Sequence, residues 1–187
     1  MNQTTPMISN GTDVVSFLKD QHKRIKALFA KVEGTSGKDR EEAFRELRRL
    51  MAVHETAEEE IVHPAARSNI PNGAAIVDAR LREENEAKKS LTAIEKLDLA
   101  SAEFEAQFRT LKSAVIAHAE SEEREEFEKL GDKLEPKRLE RMRKAVEMAE
   151  SVAPTRPHAG VESAWANMLV GPFASMMDRA RDALSKN

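Results

Sequence analysis

The sequence contains no cysteine, which excludes a disulfide framework and any metal site built from thiolates. Tyrosine is absent as well, and there is one tryptophan. No apolar run approaches the ~18 residues that a membrane span requires, and the N-terminus lacks the basic and apolar pattern of a signal peptide. We therefore expect a cytoplasmic protein that does not enter the membrane.

An excess of charge of one sign is also missing. The 187 residues include 30 Lys and Arg against 33 Asp and Glu, and the net charge is −3. Because the two signs are interspersed, no basic block indicates a nucleic-acid partner. The chain is instead rich in Glu, Lys, Arg, Ala and Leu, which favour helix. This composition predicts an all-α protein built from amphipathic helices.

Turn residues divide the chain into long helical segments. The main interruptions lie at residues 34–37, 68–73 and 98–101. Short connections between four long helices predict an antiparallel up-down four-helix bundle over residues 12–132, with additional C-terminal helices. Outside the bundle we expect a disordered N-terminus at residues 1–11, an extra helix at 133–152, and a linker with an apolar helical segment at 153–187.

One short pattern occurs twice in the chain. His54 and Glu58 stand four residues apart, and His118 and Glu122 repeat the pair at an offset of 64 residues. Residues i and i+4 lie on one face of a helix, and in both copies that face also carries the large apolar residues. Because an imidazole and a carboxylate are costly to bury alone, each pair is interpreted as half of a metal site.

The first and third helices also align, and an offset of 62 residues places Glu84 where His22 lies in the first half. Asn85 is the neighbouring alternative to Glu84. The bundle is thus predicted to contain two copies of one helical hairpin. The predicted ligands are His22, His54, Glu58, Glu84, His118 and Glu122. Three imidazoles and three carboxylates suit two iron or manganese ions better than zinc, whose sites prefer four ligands.

Two further residues lie close to this pattern. Glu123 replaces Glu122 as a ligand if the fourth helix uses a spacing of five residues. His63 follows His54 by nine residues, which at ~3.6 residues per turn puts it about half a turn out of phase. We therefore interpret His63 as a packing residue or a support for the ligands, and only then as a ligand.

These residues resemble the hemerythrin family, in particular bacterial proteins with the HHE cation-binding domain. The resemblance covers about residues 12–132 and rests on His22, on the segment 54–64 and on the segment 118–127. It implies a hemerythrin-like four-helix bundle that holds two iron ions in a non-haem di-iron centre. Members of the family bind oxygen, sense oxygen, iron or redox state, or handle peroxide.

The third helix departs from the family pattern. Family members typically carry His there, whereas this chain has Glu84 and no His between His63 and His118. More carboxylate and less imidazole is expected to stabilise ferric iron and to disfavour reversible oxygenation. The second helix matches the H-E-x-x-E form of iron-sensing relatives, which makes Glu55 an additional candidate ligand.

The expected function is that of a non-haem di-iron protein that meets oxygen, peroxide or nitric oxide. It would act as a sensor, a buffer or a modest peroxide-decomposing protein. The alternative is a helical protein-interaction module in which the metal is structural or absent. The apolar segment 161–185 either covers the bundle or forms an interface for a homodimer or another protein.

Overall fold

The computed structural model describes residues 12–152, and these residues form helices and contain no strand. Two π-helical segments, Glu58–Val62 and Glu123–Phe127, each continue an α-helix without a break. None of the helices described is long and apolar enough to cross a membrane. The α-helices are α1 (Val14–Gly34), α2 (Gly37–Ala57), α3 (His63–Asn69), α4 (Gly73–Ile94), α5 (Ala102–Glu122), α6 (Glu128–Lys133) and α7 (Pro136–Val152). The predictions for residues 1–11 and 153–187 lie outside the described part.

Local sequence signals set the helix ends. The Asp13 carboxylate accepts a hydrogen bond from the backbone N–H of Ser16 at 3.0 Å and caps α1. Ser101 caps α5 in the same way, through the backbone N–H of Phe104 at 3.1 Å. A Cβ atom at Gly73 would collide with the carbonyl oxygen of Ala66, so the turn into α4 requires glycine.

The long helices pack as an antiparallel bundle. Gln21 near the start of α1 contacts His54 near the end of α2, while Lys31 near the end of α1 lies 3.7 Å from Glu46 in α2. Helices α4 and α5 pair in turn, and α7 packs against α1 and α2 as a fifth helix. The predicted all-α bundle is thereby confirmed.

The apolar core has two parts, with polar residues between them. On α1, the buried His22 lies between Leu18 of one part and Ile25 of the other. On α2, His54 likewise lies between Met51 of one part and Ala57 of the other. Each helix therefore crosses from one apolar core to the other at a polar side chain. This alternation places a belt of His and Glu across the middle of the bundle. Its members are His22, His54, Glu58, His63, Glu84, Glu122 and, at its more exposed edge, His118.

Candidate metal centre

Both His-x-x-x-Glu pairs lie where an α-helix passes into a π-helical segment. Glu58 is the first residue of one π segment, and Glu122 directly precedes the other. The positions of the turn residues in the sequence predict unbroken helical segments through both places. A π turn closes i→i+5 hydrogen bonds, so it rotates every following side chain relative to an α-helix. Such bulges are frequent at functional sites.

The π segment changes the direction of His63. In an uninterrupted α-helix, nine residues would point the His63 side chain about half a turn away from His54. The π segment has more residues per turn, so it reduces the rotation between the two side chains by about that of one residue. The imidazole is buried, and its Nε2 lies 2.8 Å from an Oε1 of Glu84. The half-turn difference inferred from the sequence therefore does not hold, and His63 faces the same polar belt as His54.

Four imidazoles share one orientation, with Nε2 turned toward a central carboxylate. These carboxylates are Glu58, Glu84 and Glu122. The Nε2-to-oxygen distances are 3.4 Å for His22 with Glu122, 3.2 Å for His54 with Glu58, 2.8 Å for His63 with Glu84 and 3.2 Å for His118 with Glu122.

The other ring nitrogen of each imidazole, Nδ1, contacts an acceptor on the outer side of the belt. Because a carboxylate can only accept, it requires that Nδ1 carry the proton when the imidazole is neutral, which leaves the Nε2 lone pair facing inward. Outer partners of this kind orient metal-binding histidines. The Nδ1 contacts are Glu123 at 2.9 Å from His22, Gln21 at 2.7 Å from His54, Glu126 at 2.9 Å from His63 and Glu83 at 2.9 Å from His118.

Sequence reasoning did not single out three of these outer partners, which are Gln21, Glu83 and Glu126. Each lies 33 to 63 residues along the chain from the imidazole that it contacts. No spacing within one helix reveals these contacts, since two helices must pack before the contacts exist. A search for polar residues on the apolar face would have found Gln21 and Glu126, because both are buried.

Two groups of buried side chains bring their donor atoms close enough to hold an ion. The atoms of each group lie within 4.8 Å of one another. The first group is His22, His54, Glu58 and Glu122, and the second is His63, Glu84 and Glu122. Glu122 belongs to both groups, so its carboxylate would contribute to each of them if both held an ion.

The remaining candidate ligands lie around these groups. His118 borders the second group, with its Nε2 3.2 Å from Glu122 and 4.0 Å from Glu84. Glu123 contacts the outer nitrogen of His22 and is in neither group. Glu55 is also outside both groups, and its carboxylate lies 3.5 Å from the ammonium of Lys88.

Five of the six oxygens of the central carboxylates lack a hydrogen-bonding partner within residues 12–152. Both oxygens of Glu58 and of Glu122, and one oxygen of Glu84, make no hydrogen bond there, and neither does Nε2 of His118. These three carboxylates are at most 1 % exposed. Burying ionised carboxylates without partners is costly, whereas cations bound between them would satisfy the free oxygens. The donor set therefore fits bound metal.

Burial and neighbouring charges shift the pKa values of several side chains in the belt. Burial and the neighbouring Glu122 carboxylate raise the pKa of Glu58 well above its usual value. Burial and the neighbouring His22 lower the pKa of His54 well below its usual value. Burial opposes protonation of His63 and His118 too, but their carboxylate neighbours outweigh it and raise the pKa of both imidazoles well above the ordinary value. The metal-free belt thus holds protons on its second half at neutral pH.

A lysine approaches the belt from α4. The half-buried ammonium of Lys88 contacts Glu55, Glu59 and one oxygen of Glu84, the last at 3.8 Å. Burial raises the pKa of Glu55 to about 8, although Lys88 acts in the opposite direction. Lys88 therefore offsets part of the negative charge at this edge, and the sequence patterns did not indicate that role.

A cavity of about 460 Å³ adjoins the belt. Four belt residues, among them His54 and His118, form part of its wall. Apolar side chains such as Ile25, Met51 and Val115 form much of the remainder. The cavity therefore offers a small uncharged molecule an apolar path to the edge of both groups.

Comparison with known proteins agrees with this geometry. Residues 13–130, which include every residue of the two groups, match the hemerythrin HHE cation binding domain. Comparison with curated proteins gives no match. A solved structure of a hemerythrin HHE cation binding domain-containing protein from Mycobacterium kansasii is similar in fold, with a TM-score of 0.66 and 18% identity over 90% of this chain and 98% of that chain. The family match spans well over half of the sequence, and the chain belongs to the hemerythrin HHE cation-binding family.

Proposed function

We propose that the protein holds two iron ions in a non-haem dinuclear centre. One observation carries the proposal: four inward Nε2 atoms converge on three buried carboxylates, and Glu122 belongs to both groups. Nitrogen and oxygen donors without thiolate suit iron or manganese. The first ion would be held by His22, His54 and Glu58, the second by His63, Glu84 and His118, with Glu122 shared between them.

The inward direction of His63 changes the expected character of the centre. The sequence predicted three imidazoles and three carboxylates, whereas the proposed set contains four imidazoles. One more neutral ligand leaves the charge of the three carboxylates unchanged and raises the share of imidazole in the donor set. We therefore expect a weaker preference for ferric iron than in a centre with three imidazoles and the same three carboxylates.

The proposed activity is the handling of a small oxidant or a diatomic ligand, which is oxygen, peroxide or nitric oxide. Bound iron would supply the redox chemistry. The chain itself supplies the oriented ligands, the outer partners that hold their tautomers, and the apolar cavity that leads to them. On this basis the protein acts as a sensor, a buffer or a modest peroxide-decomposing protein.

Metal analysis tests the dinuclear centre. Protein produced with ample iron and purified in air should contain about two iron ions per chain and show near-ultraviolet bands of ferric iron. Elemental analysis and an absorption spectrum measure both quantities. A single ion, zinc in place of iron, or protein without metal would contradict the proposal, and the last result would favour a helical interaction module.

Metal binding should also release protons. The raised pKa values of His63 and His118 mean that both imidazoles carry an extra proton near pH 7, and a metal ligand must be deprotonated. We expect at least two protons to leave per chain, since Glu58, whose pKa is also raised, adds to the count. The apparent affinity should fall as the pH is lowered. Anaerobic calorimetric titration with Mn²⁺ or Fe²⁺, in two buffers of different ionisation enthalpy at one pH, counts the protons.

A binding enthalpy that is the same in both buffers would contradict this expectation. His118→Gln is the matched variant, because it removes one of the two protonated imidazoles. It should lower the count by about one proton.

A further inference from the structure

We propose that Glu150 of α7 determines the tautomer of His54 through the side-chain amide of Gln21. Glu150 would then be a positioning residue for the first metal group, although it lies outside the matched region 13–130. The link between tautomer and metal affinity rests on the proposed function. The link between Glu150 and the tautomer does not, since it concerns the metal-free chain.

The contacts form a chain of two short hydrogen bonds. The amide nitrogen of Gln21 donates to an oxygen of Glu150 at 2.5 Å, and the amide oxygen of Gln21 lies 2.7 Å from Nδ1 of His54. Gln21 is 5% exposed and His54 is 4% exposed, so water does not readily replace either partner. Packing thus places a carboxylate of the fifth helix two hydrogen bonds away from a candidate ligand.

His54 differs from the other three imidazoles in its outer partner. The Nδ1 atoms of His22, His63 and His118 each contact a carboxylate, which can only accept. The Nδ1 atom of His54 contacts an amide, which has an accepting end and a donating end of nearly the same shape. Something else must therefore decide which end of Gln21 faces the ring.

Glu150 fixes the orientation of the Gln21 amide. An ionised carboxylate can only accept, so the NH₂ end of Gln21 must face Glu150 and the oxygen must face His54. Nδ1 then donates, and Nε2 directs its lone pair inward, where Nε2 of His22 lies at 3.0 Å and the Glu58 carboxylate at 3.2 Å. With the amide reversed, Nδ1 would accept and Nε2 would carry the proton, which blocks that nitrogen as a ligand.

The packing of α7 holds Glu150 in place. Leu139, Met142, Val146 and Ala149 are buried in the same apolar core as Leu18 of α1. Ala149 directly precedes Glu150 and is fully buried. The position of the carboxylate is therefore set by the docking of the whole helix.

Reversing the polarity at residue 150 tests the inference. In Glu150→Lys, the ammonium can only donate, so it should draw the oxygen of Gln21 toward itself and turn the NH₂ end toward His54. Long-range ¹H–¹⁵N NMR of the metal-free protein reports the His54 tautomer. We expect Nδ1–H in the unmodified protein and mainly Nε2–H in Glu150→Lys, with metal affinity of the first group about 10–100-fold weaker.

Two further variants control this test. Glu147→Lys makes the same charge change at an exposed position of α7 and should leave both the tautomer and the affinity unchanged. Gln21→Glu combined with Glu150→Lys places an accept-only carboxylate against His54 and pairs it with the new lysine. This double variant should restore Nδ1–H and the metal affinity.

The outcomes separate the two proposals. An unchanged Nδ1–H tautomer in folded Glu150→Lys would overturn the inference. If that variant does not fold, Glu150→Ala is measured instead, and the absence of any Nε2–H form in it overturns the inference equally. A switched tautomer with unchanged metal affinity would leave the role of Glu150 intact and contradict the assignment of His54 as a ligand.

Discussion

Replacing Glu122 by glutamine is expected to abolish binding of both metal ions while the bundle stays folded. Its carboxylate belongs to both candidate groups, and it is fully buried between them. Glutamine keeps the volume of the side chain, but it removes the negative charge and one of the two oxygens. We expect the metal content to fall from about two ions per chain to almost none, with affinity reduced by about 100-fold or more.

Elemental analysis and circular dichroism measure metal content and helicity on the same samples. Glu120→Gln is the matched control, because Glu120 lies on the same helix with its side chain 61% exposed. It should retain both ions. Glu58→Gln and Glu84→Gln should each lose one ion, since each belongs to one group. Two ions retained in Glu122→Gln would show that this carboxylate is not shared.

Removing the metal is expected to lower the melting temperature by about 10 °C or more. An ion at 1,000 times its dissociation constant stabilises the folded state by about 4 kcal/mol, which corresponds to about 8–16 °C in a chain of this size. Without metal, the buried carboxylates Glu58, Glu84 and Glu122 face one another without hydrogen bonds to their free oxygens. Calorimetry before and after chelation measures the shift.

The loss of stability should be local as well as global. Amide hydrogen exchange should accelerate most around residues 50–60 and 115–125, which contain both His-x-x-x-Glu pairs. The Glu122→Gln variant provides the control, because a chelator has no metal to remove from it and should leave its melting temperature unchanged. Equal exchange with and without chelator in these two segments would contradict a metal centre between the helices.

Local features of the fold were predictable because they depend on neighbours in sequence. Asp13 and Ser101 cap their helices through backbone groups three residues ahead, which a sequence shows directly. The two His-x-x-x-Glu pairs lie on single helix faces, so their inward direction followed from helical periodicity. Glu84 was indicated by alignment of two helical hairpins, and it is buried beside His63.

The two π segments could not be predicted from the sequence. Nothing in the composition of Glu58–Val62 or Glu123–Phe127 separates them from α-helix. A π turn has poorer backbone geometry than an α turn, so it persists only where tertiary contacts compensate for it. The angle between the His54 and His63 side chains inferred from the sequence holds for an uninterrupted α-helix. It does not apply here, because the π segment lies between them.

The sequence by itself determined that the chain is helical, that four helices form a bundle, which faces carry the His and Glu residues, and which family it belongs to. The helices and their polar faces depend on periodicity and spacing, the bundle depends on the short connections, and the family was indicated by the resemblance of the motifs. Only the tertiary structure decided that His63 turns inward, that Glu122 is common to both groups, and that Glu150 reaches His54 through Gln21. These contacts join residues 21 to 129 positions apart, and they exist only once the helices have packed at a particular rotation.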